Sequence, residues 1–201
     1  MINALVFDFD GVLHDTFDLH LKCLNILITT GEFTAQEYRD LHDVNFHENI
    51  TLQHKLKLID FSKYHDTICD EFIAMVMPQE RRQFLVDIAQ IYRLFIISSG
   101  GEKQIIPYLQ NNGVYDLFLS IMGMETHISK VEKFHMIFRD YGVSADEVLF
   151  ITDTLGDILE GHEVGVKTIA LDSGFHDRER LGQGKPYAII SSIFDIYEYL
   201  V

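Results

Sequence analysis

The sequence predicts an α/β protein built on a parallel sheet. Three observations point there: short apolar runs of strand length, helix-like stretches between the later runs, and glycines where those helices should stop. Buried parallel strands read as continuous apolar runs bounded by turn or polar residues. Residues 4–8, 94–98, 148–153, 168–171 and 187–190 have this form, and 117–122 is a weaker member of the set. Stretches 102–112, 130–141 and 157–163 are followed by Gly113, Gly142 and Gly165, the expected stop signals just past a helix end. Pro107, in the second turn of the first stretch, predicts an irregular helix start.

The alternation breaks once. From residue 15 to 77 no strand is evident, whereas 19–28 and 34–41 are amphipathic and Pro78 closes the interval. The economical division is an α/β core of residues 1–14 and 79–201, with residues 15–78 inserted as three or four short helices. Asp15 and Thr16 are expected to cap the first of these.

Composition narrows the function. The 201 residues, 47% hydrophobic and 12% aromatic, suffice for a proper core. Sixteen Lys and Arg against 31 Asp and Glu give a net charge of −15, which argues against a nucleic-acid or anionic-membrane surface. No apolar run reaches the roughly 20 residues of a membrane-spanning helix. The first seven residues lack a basic leader and read as a core strand, not a signal peptide. Cys23 and Cys69 stand apart with no CxxC pair, so a disulfide scaffold is not expected and the cytoplasm is the expected home.

Four segments carry chemistry. The first is Asp8-Phe9-Asp10-Gly11, at the end of the first strand, where open α/β sheets bind ligands. Carboxylates at i and i+2 leave a strand on one face and disfavour each other's ionisation unless a cation intervenes or one keeps a proton. Both solutions suit phosphoryl transfer: a metal-bound Asp8 can attack phosphorus, and a protonated Asp10 can protonate the leaving oxygen. Taken alone, the motif is equally a turn whose acids cap backbone amides. The second is Ser98-Ser99-Gly100-Gly101, before a helix, where glycines and free amides admit an anion and Ser98 can bond a phosphate oxygen; an ordinary N-cap is the plainer reading. The third is Lys130, with Lys133 as its alternative, at a helix start that disfavours cations unless a phosphate balances them. The fourth is Asp153 with Asp157. A charge ending a buried strand needs a partner, and such oxygen ligands suit Mg²⁺. Gly11, Ser99 and Gly100 are the expected substrate contacts.

In this order the segments resemble the four motifs of the haloacid dehalogenase superfamily, and the helical insertion occupies the place of that family's small cap. The resemblance implies a Rossmann-like sheet of order 5-4-1-2-3 with helices on both faces. It implies Asp8 as nucleophile, Asp10 as general acid/base, and Ser98 and Lys130 holding the phosphoryl group. It implies Mg²⁺ on Asp8, the Asp10 carbonyl and Asp153, with Asp157 assisting. Residues 151–157 and Gly174-Phe175-His176 are similar to phosphoglycolate-phosphatase-like members. Two positions depart from the family pattern: Val131 replaces the usual Pro and Thr152 the usual Gly. Asp10 favours a phosphatase over a dehalogenase. A β-phosphoglucomutase-like mutase and a catalytically silent phosphate-binding protein are the alternatives. The expected partner is a small phosphorylated metabolite.

The histidines offer no compact metal spacing. His42, His47, His54 and His65 are expected as exposed residues of the insertion. His14 and His176 are expected near the crevice, and His20, His127, His135 and His162 on the surface.

Overall fold

The computed structural model describes residues 1–46, 49–50 and 52–200. A parallel sheet forms from β1 (Ala4–Phe7), β2 (Arg93–Ile97), β3 (Phe118–Met122), β4 (Val148–Thr152), β5 (Lys167–Leu171) and β6 (Ala188–Ile190), ordered β3-β2-β1-β4-β5-β6. The expected order, 5-4-1-2-3, matches this only roughly, because β6 pairs with β5 and extends the sheet by an edge strand. β1 is central, and Phe7 stands opposite Ile96 on one side and Ile151 on the other. The carboxyl ends of β1, β2 and β4 therefore finish level with one another.

Side chains alternate across the strands, so the sheet buries both faces. Leu5 and Phe7 join Ile96, Ile151 and Leu171 on one face. Ala4 and Val6 join Phe95, Ile97 and Phe150 on the other, covered by Phe134 and Ile137 of α7 (Lys130–Tyr141). Gly142, at φ +63, ends α7 in the left-handed conformation that glycine adopts without strain.

Between β1 and β2 the chain is helical: α1 (Phe17–Leu27), α2 (Ala35–Asp40), α3 (Gln53–Leu56), α4 (Tyr64–Ala74) and α5 (Gln79–Ala89). The sequence pattern does not single out α5, whose N-cap is Pro78. α6 (Glu102–Asn111) runs unbroken through Pro107, contrary to the expected irregular start. A proline this early leaves unpaired only a first-turn carbonyl. α8 (Leu155–Glu163) begins two residues before expectation, and α9 (Arg178–Gln183) precedes β6. Phe72 of α4 stacks on Phe9, with centroids 5.5 Å apart, and belongs to the same apolar cluster as β1. No described helix is long and apolar enough to cross a membrane.

Candidate active site

Asp8 follows the last residue of β1, and its N–H still donates to the Ile151 carbonyl at 2.8 Å. That places it at the strand-end crevice, 6% exposed. Its Oδ1 accepts the Phe9 N–H at 2.7 Å, and its Oδ2 lies 2.9 Å from Lys130 Nζ. The chain then turns tightly, the Gly11 N–H donating to the His14 carbonyl at 2.7 Å. Gly11 has φ +75, and a Cβ there would lie 1.8 Å from Asp153 Oδ2, so only glycine lets the β1 and β4 loops meet.

The turn delivers Asp10 beside β2. Asp10 Oδ1 accepts from Thr16 Oγ1 at 2.6 Å and contacts His20 Nε2 at 2.9 Å. Ser98 Oγ donates to Asp10 Oδ2 at 3.3 Å and accepts the Gly100 N–H at 2.9 Å. Thr16 thus spends its hydroxyl on Asp10 and makes no side-chain cap for α1; Asp15 accepts the Phe17 N–H instead.

Asp153, after β4, is fully buried. Its Oδ2 accepts the Phe175 N–H at 2.6 Å, while its Oδ1 has no partner. Thr154 caps α8, and Asp157 in the first turn takes Thr152 Oγ1 at 2.5 Å and Lys130 Nζ. Both lysines of the third segment are buried on one face of α7. Lys130 bridges Asp8 and Asp157, and Lys133 donates to the Ser98 carbonyl at 2.6 Å.

Electrostatics separates the acids. Burial, reinforced by Asp157 and Asp153 and opposed by Lys130, pushes Asp8 well above the usual carboxylate range. Burial likewise raises Asp153, against the Phe175 N–H bond. Asp10 is lowered: burial works against its charge, but His20, Thr16 and Lys130 together outweigh it. With no cation between them, Asp8 and Asp153 are the two carboxyls whose ionisation burial disfavours most. Lys130 is raised because Asp157 and Asp8 overcome its burial. Lys133, pulled down by burial and by Lys130, falls to about 8.

A model of haloacid dehalogenase-like hydrolases matches residues 5–171. The chain belongs to that family. Over 217 residues it is 25% identical to a Clostridium perfringens protein provisionally named pyrophosphatase PpaX, covering 98% of this chain and 97% of that one. Over 215 residues it is 21% identical to a phosphoglycolate phosphatase of Synechococcus elongatus, covering 98% and 96%. The solved structure of a haloacid dehalogenase-like hydrolase from Streptococcus pneumoniae superposes with a TM-score of 0.78 at 16% identity, covering 100% and 99%, which shows the shared fold.

As a hydrolase of this family, the chain can be tested for the fit of Mg²⁺. Among the described residues no group of three or more His, Cys, Asp or Glu side chains is placed to hold a metal ion by itself. Asp8 and Asp153 offer two neighbouring carboxylates at the crevice, a set that suits a cation that keeps several waters. The orphaned Asp153 Oδ1, and the unfavourable ionisation of Asp8 and Asp153 side by side, are what a bound cation would relieve. The residues fit.

The histidines depart most from expectation. His20, expected on the surface, is 8% exposed and joins Asp10 to the Tyr64 hydroxyl, 2.5 Å from its Nδ1. A signal existed: His20, Cys23, Leu24 and Leu27 are spaced i, i+3, i+4 and i+7, and all four are buried. His176, expected near substrate, is sealed at 1% exposure, accepting the Leu155 N–H at Nδ1 and contacting the Arg39 carbonyl through Nε2. His14 contacts the Tyr108 hydroxyl at 2.6 Å. His42 and His65 are half-buried, unlike exposed His54, and His47 lies outside the described residues. His127 is half-buried, while His135 and His162 are exposed.

A cleft of about 800 Å³ opens from the crevice toward the helical segment; Asp10, Ser99 and Gly100 line its floor.

Proposed function

We propose that this hydrolase cleaves a small phosphate monoester through a phospho-enzyme on Asp8. The observation that carries the reading is the fixed carboxylate of Asp8. One oxygen is held by the Phe9 N–H and the other by Lys130, at the point where Asp10, Ser98 and Asp153 converge. The phosphatase and pyrophosphatase names of the relatives support the same class of chemistry.

Asp8, Asp153 and the Asp10 carbonyl, with Asp157 behind them, would hold Mg²⁺, which would supply the positive charge that lets two anions approach. Lys130 steadies Asp8 and neutralises charge on the transferring group, and the Ser99–Gly101 backbone faces the same oxygens. An Asp8 oxygen forms the new bond to phosphorus as the ester P–O bond breaks. The leaving oxygen takes a proton from Asp10. Because Asp10 Oδ1 shares a hydrogen bond with His20 Nε2, that pair can load and unload the proton. In the second half-step Asp10 takes a proton from the water that hydrolyses the aspartyl phosphate. Residues 15–78 act as the cap over this site. Both cysteines are free thiols, which suits the reducing cytoplasm we assign to the enzyme.

The test is phosphate release from acetyl phosphate and a panel of metabolite esters. Release that requires Mg²⁺ and is lost in Asp8→Asn supports the reading. Undiminished release by Asp8→Asn overturns it.

A further inference from the structure

Two buried lysines stand under the crevice, and the proposed reaction uses one of them. Lys130 bridges Asp8 and Asp157. Lys133, one turn further along α7, is fully buried, and among the described residues it is ion-paired with no carboxylate. Its Nζ donates instead to the Ser98 carbonyl at 2.6 Å. Burial and the charge of Lys130 pull it down to about 8, while Asp8, Glu160 and Asp157 act against that fall, so the ammonium keeps its proton at neutral pH. A buried cation resting on a neutral carbonyl is costly. The packing of α7 does not call for one, because the same buried stripe continues as Phe134 and Ile137.

The carbonyl it grips belongs to the peptide unit whose N–H is that of Ser99. In a planar trans peptide these two groups point in opposite directions, so an oxygen held toward α7 turns the Ser99 N–H away from that helix. Ser99 lines the cleft with Asp10, and no described residue accepts its N–H. The next N–H, of Gly100, is already taken by Ser98 Oγ at 2.9 Å. The loop runs hard against the acid: a Cβ at Gly100 would lie 3.0 Å from Asp10 Oδ2. A donor on the oxygen of a peptide unit polarises it and strengthens the hydrogen bond its N–H can give.

We propose that Lys133 is a positioning residue for phosphoryl transfer, holding the Ser98 carbonyl so that the Ser99 N–H is aimed and polarised toward the transferring group. The assignment rests on the phosphatase reading and adds a residue to its site. Lys130 touches the nucleophile, whereas Lys133 acts through one peptide unit. Charge developing on the equatorial oxygens is stabilised best by donors fixed before the reaction, and a lysine sealed under the loop fixes this one.

The experiment compares the unaltered enzyme with Lys133→Met, an apolar chain of similar length, on acetyl phosphate with Mg²⁺. The expected result is a kcat about tenfold lower, less than the loss of an oxyanion donor itself, with KM changed much less. Orthovanadate, which takes up the five-coordinate geometry of the transfer, should lose affinity by a similar factor, and inorganic phosphate by less. A lysine that only fills space leaves kcat and orthovanadate affinity unchanged, and that result overturns the assignment. A second arm uses the unaltered protein and does not depend on the variant folding. In nuclear magnetic resonance spectra the Ser99 amide and the Lys133 ammonium should both shift when orthovanadate binds with Mg²⁺. Either signal staying in place overturns the assignment. Turnover that needs Mg²⁺ and is lost in Asp8→Asn keeps the phosphatase reading standing whatever Lys133→Met does. Turnover of no ester by the unaltered enzyme overturns both.

Discussion

His20 decides the state of Asp10. Burial alone would make Asp10 hard to ionise; the imidazole at 2.9 Å and the Thr16 hydroxyl reverse that. His20→Ala removes the larger of these supports, so the pKa of Asp10 rises. The acidic limb of the kcat–pH profile should move to higher pH, and kcat should fall about tenfold or more, within the range of acid–base contributions. A profile unmoved by the substitution would remove His20 from the proton path. Asp8 and Asp153 were legible in the sequence because each ends a buried apolar strand, where an acid without a partner is costly. Which acid favours a proton was not legible. It depends on through-space neighbours, Asp157 and Asp153 around Asp8 and His20 beside Asp10, that come from distant segments.

α2 shows how an element is pinned. Its N-cap Thr34 and Glu37 form a reciprocal capping box, and Lys55 from α3 clamps Glu37. That clamp, followed by the Thr34 amide, lowers Glu37 from its ordinary 4.5 to about 2. A lowered carboxylate contributes stability that is present above about 4.5 and lost as pH falls toward 2. Glu37→Gln should therefore be less stable at neutral pH by about 1 kcal/mol or less, as befits a partly exposed pair, and the difference should close as pH falls through that window. Chemical denaturation at a series of pH values checks it. The strongest strands were legible because β1, β2 and β4 are buried on both faces and read as unbroken apolar runs. β3 gave a weaker signal for a physical reason: it is an edge strand whose middle residues are exposed or half-buried.

At the scale of the molecule, the helical segment is tied to the core at several points. The Gly156 N–H donates to the His42 carbonyl at 2.9 Å, Arg39 Nε to the Phe175 carbonyl at 2.9 Å, and Asn45 Nδ2 to Glu160 Oε1 at 3.0 Å. Its apolar side chains join the sheet's own cluster. The interruption in strand–helix alternation was visible in the sequence; these ties were not, since they link residues more than 100 positions apart. The acid cluster makes a prediction at this scale. With Asp8 and Asp153 both buried and disfavouring ionisation, Mg²⁺ should stabilise the fold by mass action, about 2.7 kcal/mol at a hundredfold excess over Kd. Thermal melts should show this as a rise of several degrees, absent in Asp153→Asn.

The proposed reaction turns on a covalent bond between phosphorus and Asp8. The most direct measurement is an acid quench of the enzyme during turnover with Mg²⁺, followed by peptide mass spectrometry. One phosphoryl group on the peptide containing Asp8, absent without substrate and absent in Asp8→Asn, is the predicted result. Turnover with the phosphoryl group on another residue, or on none while Asp8→Asn stays active, would contradict it.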